Sequence, residues 1–392
     1  MTIFLCSRHR LASRTSCASD FAGLLRETEQ NVTKSIAWKD FRLTINKPGG
    51  ENAPNSLEEM ITMRLFRRRT LASLLATALL VAPLAASLAA SLAARAETIR
   101  VGLPTKTYWP TTVAETAVRQ KLFEKEGISA ELTIYRSGAE TFEGMAAGAA
   151  DIILDPPSLV SAGRKKGVMS KIVANASMGN FGWQLMVPVK STLDVKDLNG
   201  KKVAITAAGS GSDLLALWTI QDRKIDFTRV PVGGGGLVPN LLAGNVDAAV
   251  VYSPLSFQIQ KSGEAKTILD YATAVPPNLT GGWIVLDKFA QEKPQVVQKA
   301  LNALYGAVAF MRSNRDTTVK LISDLYEMPP EIASLEYDNT IMKLETDGNM
   351  SAANVKDAVQ LSLDLAKLGG LKDIVPTDDV ISTQFKPVPT KP

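Results

Sequence analysis

One segment of this 392-residue chain occurs twice, and the second copy lies 96 residues after the first. Residues 147–151 read Ala-Gly-Ala-Ala-Asp, and residues 243–247 read Ala-Gly-Asn-Val-Asp. A short apolar run and then a loop with Pro and Ser follow each copy. In each copy a helix can end at the Gly, the Asp can turn the chain, and the apolar run can form a buried strand. The repeat therefore predicts two similar units, each with its own sheet.

The order of the predicted elements indicates the fold class. In the first unit a strand over 98–103 precedes a helix over 112–125, and in the second a strand over 201–206 precedes a helix over 213–221. Strands that alternate with helices favour βαβ units and parallel pairing. We predict an α/β fold with two lobes, each built on a mostly parallel sheet with helices on both faces.

Two Gly-containing connections, over 178–182 and 274–282, lie between the predicted units. Paired connections of this kind are typical of hinges, in which a few residues absorb the rotation of one lobe against the other. We therefore expect residues 97–178 together with 282–392 to form lobe 1, and residues 183–273 to form lobe 2.

A secretion signal is predicted over residues 63–96. Arginines at 67–69 precede an uncharged stretch over 71–94, and the small residues Ala94 and Ala96 match a signal-peptidase site, which would make Glu97 the first mature residue. The uncharged stretch is also long enough for a membrane anchor, and Arg68-Arg69 also fits a twin-arginine signal. We favour a cleaved signal and a periplasmic location, with the Sec and twin-arginine routes both open. Residues 1–62 are treated as a non-structural extension.

The composition of the predicted mature chain narrows its chemistry. Cys6, Cys17 and His9, which are all the thiols and the only imidazole, precede Glu97. Of the 44 basic and 39 acidic residues, 13 and 7 also precede it, so the remainder carries a net charge of −1 and no basic stripe for nucleic acid. The predicted mature chain therefore lacks the Cys and His residues that nucleophilic catalysis and zinc binding usually use. We therefore predict no enzyme activity, no catalytic residue, no metal and no cofactor.

The loop after the first strand supplies the first candidate ligand contacts. Lys106 offers a cation, and Tyr108 and Trp109 offer flat apolar faces with a polar edge. The alternative for both aromatic residues is packing against the neighbouring helix.

Hydroxyl and glycine residues precede two predicted helices and follow one predicted strand. Backbone N–H groups at a helix N-terminus attract anions, although Ser at such positions also acts as an ordinary cap. A run of four glycines over 233–236 could let the backbone approach a ligand or form a flexible turn. The candidates from these segments are Ser137, Gly138, Ser210, Gly211, Ser212 and Gly235.

The loops that follow the repeated strands, together with the connections, supply the remaining candidates. Asp155 could accept a hydrogen bond from a ligand amino group or fix its loop as an Asx turn. The tryptophans near the connections could close the pocket or pack in the core. The candidates of this group are Asp155, Pro156, Ser158, Asn180, Trp183, Tyr252, Ser253 and Trp283.

Four segments resemble a known family of proteins. Residues 98–102, 144–151, 198–204 and 241–249 resemble the extracytoplasmic solute-binding proteins of ABC importers, in the nitrate, sulfonate and taurine branch that includes proteins similar to thiamine-pyrimidine synthases. The resemblance covers nearly all of 97–370. It implies a type II periplasmic-binding-protein fold of the Venus-flytrap kind, with one small solute held in the cleft between the lobes. The Cys-rich iron site and the substrate His of the synthases find no counterpart.

The expected function is capture of a small organic anion, such as a sulfonate, a carboxylate or a nitrate-like ion, by a monomer that delivers it to an ABC permease in the membrane. Two alternatives stay open. The chain could be the receptor partner of a membrane kinase, or a carboxylate-dependent lyase with Asp155 as its base.

Overall fold

The computed structural model describes residues 97–368, 370–372 and 374–389. The predicted extension over 1–62 and the predicted signal over 63–96 lie outside these residues, as do Cys6, Cys17 and His9. No helix within the described ranges is both long enough and apolar enough to cross a bilayer.

The strands of the described residues, in chain order, are β1 (Glu97–Leu103), β2 (Ile128–Ile134), β3 (Ile152–Asp155), β4 (Ser170–Ser177), β5 (Gln184–Pro188), β6 (Lys202–Ile205), β7 (Thr228–Pro231), β8 (Ala248–Val251), β9 (Ala265–Asp270) and β10 (Gly281–Leu286). The α-helices are α1 (Trp109–Arg119), α2 (Leu122–Lys125), α3 (Gly138–Ala146), α4 (Pro157–Lys165), α5 (Gly211–Arg223), α6 (Leu237–Leu242), α7 (Leu255–Lys261), α8 (Tyr271–Ala274), α9 (Asp287–Glu292), α10 (Pro294–Ser313), α11 (Arg315–Tyr326), α12 (Pro330–Asn339), α13 (Ala353–Leu368) and α14 (Thr377–Val380). Short 3₁₀ segments span Val195–Leu198, Gly234–Gly236 and Ile341–Lys343.

The strands form two five-stranded sheets with matching topology. The first sheet has the order β2-β1-β3-β10-β4, and the second has the order β7-β6-β8-β5-β9. In the first sheet β10 is antiparallel to both of its neighbours, and β5 has the same position and direction in the second. The other strand pairs are parallel. The predicted fold class, two mostly parallel sheets in a two-lobed α/β protein, is therefore confirmed.

The repeated Asp has the same structural role in both sheets. Asp151 Oδ2 accepts a hydrogen bond from the backbone N–H of Arg100 at 2.8 Å, and Asp247 Oδ2 accepts one from the N–H of Lys202 at 2.8 Å. Each carboxylate thus joins the turn before one strand to the neighbouring parallel strand. Glycines with positive φ, Gly148 and Gly244, end the helical segment just before each turn. The repeated sequence therefore encodes a repeated strand connection.

Both sheets are buried by helices. One face of the first sheet packs its β1 side chains against α1 and α10, in a core that contains Val101 and Leu304. Its other face packs around Ile153 and Val359 of α13. The core of the second sheet is separate and includes Leu185. Because strands β3 and β8 are buried along their whole length, their sequences are apolar runs rather than alternating ones, except for Asp155 at the end of β3.

The C-terminal helices pack against both units. Helix α10 packs on α1, α2, β1 and β2, as the assignment of residues 282–392 to lobe 1 implies. In contrast, α12 also contacts α7, and α13 lies against both α4 and α5. These helices therefore connect the two sheets at two places.

The two connections between the sheets are hydrogen-bonded to each other. The Thr280 N–H donates to Ser177 O at 3.0 Å, and Thr280 Oγ1 donates to Gly179 O at 2.9 Å. Strand β10 begins at Gly281, so residues 281 and 282, which the sequence analysis placed in the second connection, belong to the first sheet.

Candidate functional site

A cavity lies where the carboxyl ends of the parallel strands of the two sheets face each other. This is the edge at which open α/β sheets bind ligands. The cavity encloses about 520 Å³ of empty space, including its open mouth. The first sheet and its connections line it with Pro104, Thr105, Tyr108, Gly138, Leu154, Asp155, Pro156, Asn180 and Thr280, and the second with Trp183, Thr206, Ser210, Gly211, Leu215 and Tyr252.

Three aromatic residues form one wall of the cavity. The ring centroids of Tyr108 and Tyr252 are 5.0 Å apart, and those of Trp183 and Tyr252 are 5.2 Å apart. Trp183 Nε1 donates a hydrogen bond to Tyr108 Oη at 3.2 Å. The hydroxyl of Tyr326 on α11 donates to the backbone oxygen of Tyr108, which supports the wall from behind. The tilted contacts fix a rigid apolar surface beside the polar side of the cavity.

Two helix N-termini also reach the cavity wall. Helix α3 begins at Gly138, and Ser137 Oγ caps it by accepting a hydrogen bond from the Glu140 N–H at 3.2 Å. Helix α5 begins at Gly211, and the Ser210 side chain makes no capping hydrogen bond to it. The N–H groups of a first helical turn have no partner within their helix. Gly138 and Gly211 therefore bring the positive ends of two helix dipoles to the cavity wall.

Asp155, the last residue of β3, is the one carboxyl group among the lining residues. Its side chain packs against Gly138, since a Cβ on that glycine would lie 2.2 Å from Asp155 Oδ1. Oδ2 is buried and makes no hydrogen bond. Burial raises the pKa of Asp155 well above its ordinary value, because no basic side chain offsets the loss of solvent. Burial thus favours the protonated form more strongly than in an exposed Asp, and a protonated carboxyl group can donate a hydrogen bond.

Two buried hydroxyl groups of the cavity wall also lack hydrogen-bond partners. These are Thr105 Oγ1, from the loop after β1, and Tyr252 Oη, from the loop after β8. Burial raises the pKa of Tyr252, and the nearby hydroxyl groups of Thr105 and Thr107 partly oppose this shift. Each buried polar group without a partner costs about 1–3 kcal/mol. The cavity thus presents unmatched hydrogen-bonding groups from both sheets.

The structure brings nine of the predicted site residues together. Tyr108, Gly138, Asp155, Pro156, Asn180, Trp183, Ser210, Gly211 and Tyr252 all line the cavity. The Ser210 hydroxyl is occupied, because it donates to Ala207 O at 2.6 Å.

The other eight candidates lie elsewhere. Lys106 is exposed and does not line the cavity, so it places no cation there. Trp109 and Trp283 are buried in the core of the first sheet, as the packing alternative for each allowed. The hydroxyl groups of Ser137 and Ser212 accept hydrogen bonds from backbone N–H groups, and the hydroxyl of Ser253 is hydrogen-bonded to that of Thr340. Gly235 has no neighbouring atom where a Cβ would lie. Ser158 lines a different cavity beside α4.

Six lining residues were not predicted. Thr105 and Thr206 each follow the first strand of a repeat, at equivalent edges of the two sheets. The 96-residue shift does not align them, because it pairs Thr105 with Lys201, so only the matching strand order of the two sheets relates the two threonines. Thr280 lies at the end of a connection, and the remaining three residues are Pro104, Leu154 and Leu215. No local signal marks Leu215, because its position depends on how the two lobes face each other.

Within the residues that the structure describes, no group of three or more His, Cys, Asp or Glu side chains is arranged to hold a metal ion.

Comparison with known proteins gives one family and a consistent set of relatives. The family described as NMT1/THI5 like matches residues 113–318. A protein of Bacillus subtilis (strain 168), named "Putative aliphatic sulfonates-binding protein", is 28% identical over 248 residues, which cover 62% of this chain and 74% of that protein.

Solved structures share the fold. The alkanesulfonate-binding protein SsuA from Xanthomonas axonopodis pv. citri, bound to MOPS, matches with a TM-score of 0.64 and 20% identity, over 73% of this chain and 99% of that one. The periplasmic nitrate-binding protein NrtA from Synechocystis PCC 6803 matches with a TM-score of 0.58 and 14% identity, over 74% and 92% of the two chains. Since the family match spans more than half of the sequence and the sheets have the two-lobed arrangement of these relatives, the chain belongs to the NMT1/THI5-like family.

Proposed function

We propose that this protein is a receptor for a small oxyanion, which it holds in the cavity between the two sheets without transforming it. The observation that carries this proposal is the set of buried groups on the cavity wall that have no partner in the protein. Thr105, Asp155 and Tyr252 supply such groups, and the N-termini of α3 and α5 add backbone donors. An anion with several oxygen atoms can accept from all of these donors at once.

The charge of the wall favours an anion over a cation. Apart from Asp155, none of the lining residues is acidic, and none is basic. With Asp155 protonated, the cavity is neutral and carries two positive helix ends. In a water-poor cavity the hydrogen bonds to an anion are stronger than they are in solution.

A neighbouring cavity favours an oxyanion with an apolar substituent. This second cavity has about 390 Å³ of empty space, including its open mouth, and it shares Pro156, Asn180, Gly211, Leu215 and Thr280 with the first. Its further lining includes Leu214 and Trp218 of α5 and Leu365 of α13. A ligand can therefore place its charged group at the helix N-termini and its apolar part between α5 and α13. The names of the relatives, which include aliphatic sulfonate, alkanesulfonate and nitrate binding, agree with this ligand class.

We further propose that capture depends on lobe closure. In this proposal lobe 1 consists of 97–177 and 281–392, lobe 2 consists of 183–273, and the connections over 178–182 and 274–280 are the hinge. Export by the predicted signal over 63–96 would place a monomeric receptor in the periplasm, where it would deliver the ligand to an ABC permease.

The direct test is a ligand screen on the purified chain from Glu97 onward. Thermal unfolding is measured with nitrate, methanesulfonate, butane-1-sulfonate, MOPS, taurine and acetate, followed by calorimetry of any ligand that stabilises the protein. A ligand at a hundred times its Kd should stabilise the fold by about 2.7 kcal/mol. Sulfonates should raise the unfolding temperature, whereas the absence of stabilisation by every anion at millimolar concentration would refute the proposal.

A carboxylate-dependent lyase is the second candidate. The raised pKa of Asp155 suits a general base or acid, which is the observation in its favour. Incubation of the protein with each bound anion, followed by NMR of the small molecules, separates the two functions. The receptor returns its ligand unchanged, whereas a lyase yields a product that disappears in Asp155→Asn.

A further inference from the structure

The four-glycine run connects β7 to α6 and reaches the opposite side of the cleft. Gly234, rather than the predicted Gly235, makes the contact. Its backbone N–H donates a hydrogen bond to Arg136 O at 2.8 Å. Arg136 directly precedes Ser137 and Gly138, where α3 begins at the cavity wall. This hydrogen bond therefore joins a loop of the second sheet to the loop of the first sheet that positions one of the two helix N-termini.

Gly234 also packs where a side chain does not fit. A Cβ at this position would lie 2.5 Å from Tyr252 Oη and 2.6 Å from Thr105 Cγ2. Tyr252 belongs to the second sheet, Thr105 belongs to the first, and both line the cavity. The absent side chain thus allows the glycine loop and the two cavity hydroxyls to come together from opposite lobes.

We propose that Gly234 is a positioning residue for ligand capture, because it closes the second lobe onto the loop that begins α3. This inference rests on the proposed function, and it adds the residue through which closure shapes the anion site. When Gly234 contacts the first lobe, its N–H donates a hydrogen bond to Arg136 O, and this bond holds the N-terminus of α3 in place. The hydroxyl groups of Thr105 and Tyr252 then stay at the cavity wall.

The same loop provides a matched control. No heavy atom lies within 4 Å of a Cβ built on Gly235. Neither Gly234 nor Gly235 has a positive φ, so alanine is compatible with the backbone at both positions. Gly234→Ala and Gly235→Ala therefore make the same chemical change in the same 3₁₀ turn and differ in the cross-cleft contact.

The experiment compares wild type, Gly234→Ala and Gly235→Ala. Calorimetry measures the affinity for butane-1-sulfonate, small-angle X-ray scattering measures the radius of gyration with and without it, and circular dichroism measures thermal unfolding without ligand. We expect Gly235→Ala to bind within twofold of wild type and to contract on binding. Gly234→Ala should bind at least tenfold more weakly and contract less, with an unfolding temperature close to that of wild type. Equal affinity and equal contraction in both variants would overturn the proposal.

A rescue variant separates cross-cleft positioning from a folding defect. Thr105→Ser removes the Cγ2 atom that a Gly234→Ala methyl group would meet, and it lies in the other lobe. Added to Gly234→Ala, it should restore part of the lost contraction. A defect confined to the folding of the second lobe would not respond to this change.

Hydrogen exchange provides a readout that needs no ligand. If wild type binds no sulfonate, the proposed function fails, and the contact is then judged by amide exchange over residues 232–237. The proposed cross-cleft contact of Gly234 is supported if these amides are protected in wild type and in Gly235→Ala but not in Gly234→Ala. Equal exchange in all three proteins refutes it.

Discussion

At the scale of single residues, Asp155 shows how burial changes the chemistry of a predicted site. The sequence placed this carboxyl group at the end of a strand, where an ionised carboxylate would select an amino group. In the structure Asp155 packs on Gly138, and burial raises its pKa, so the group is suited to donate a hydrogen bond to an anion. The position was predictable from the strand–loop pattern. The protonation state was not, because it depends on the other groups around the cavity.

We expect oxyanion binding to depend on the protonation of Asp155. Because its pKa is raised, the donor is present at low pH and is lost as the pH rises through that value, so the affinity for methanesulfonate should fall at high pH. Asp155→Asn, whose amide also donates, should bind within about threefold of the low-pH wild type and lose this pH dependence. Calorimetry between pH 5 and 9 measures both effects.

The control for this prediction is Asp226→Asn, which changes an exposed carboxylate that does not line the cavity. It should follow the wild-type pH profile. A different outcome would contradict the prediction: wild type binds taurine but not methanesulfonate, and Asp155→Asn binds neither ligand at any pH. An ionised Asp155 would then recognise the ammonium group of the ligand.

At the scale of elements, local patterns predicted helices and strands of the two repeats but not which elements pack together in space. The predicted helix over 112–125 is divided into α1 and α2, because Lys121 takes a left-handed conformation with φ of 54°. The packing of α13 against both α4 and α5 has no local sequence signal. Such long-range packing depends on the shape of the whole molecule, and it is what forms the second cavity.

We expect α13 to determine which anions bind most tightly. In wild type each methylene added from methanesulfonate to hexane-1-sulfonate should increase the affinity up to about fourfold, which corresponds to ~0.8 kcal/mol per buried methylene. Ser362→Leu fills the second cavity and should remove this gain while leaving methanesulfonate binding within twofold. Calorimetry with the chain-length series measures both results.

Lys367→Leu is the matched control, since it adds a leucine to an exposed position of the same helix. It should keep the wild-type dependence on chain length. A flat series in wild type that nevertheless binds methanesulfonate would show that the second cavity holds no substituent.

At the scale of the whole molecule, a buried carboxyl group lies where the two sheets are joined. Ser253, after β8, hydrogen-bonds Thr340, after α12, with 2.8 Å between their hydroxyl oxygens. Glu336 of α12 lies beside this pair, close enough to Tyr108 and Tyr326 to interact with both. Both of its carboxyl oxygens are buried and lack hydrogen bonds. Burial raises its pKa to about 7, which the two nearby hydroxyls partly oppose.

Glu336 should make the folded protein less stable as the pH rises. Because its folded pKa is raised, the native state binds more protons than the unfolded state between about pH 4.5 and 7. Its contribution to stability is therefore complete below this window and is lost across it, by up to about 3 kcal/mol. Glu336→Gln stays neutral at every pH, so its free energy of unfolding relative to that of wild type should be higher at pH 8 than at pH 5. Urea unfolding at both pH values measures the difference.

Glu331→Gln, an exposed change on the same helix, should leave the pH dependence of unfolding unchanged. Parallel pH profiles for wild type and Glu336→Gln would contradict the prediction. No sequence signal marks this group, because Glu336 is one of several charged residues along its helix. Its burial arises only when α12 meets the loop after β8.

Strand β5 follows β4 in the chain but lies in the second sheet, and β10 follows β9 but lies in the first. This arrangement has a consequence for biosynthesis. All five strands of the second sheet lie within one continuous stretch, from Gln184 to Asp270, whereas the first sheet needs Gly281–Leu286 to fill the gap between β3 and β4. During translation the second sheet can thus form all of its strand pairs before the first sheet does. The first sheet, although its other strands are translated earlier, lacks a strand between β3 and β4 until β10 has been made. A nascent chain released before residue 286 would carry exposed strand edges there, which are sites of aggregation.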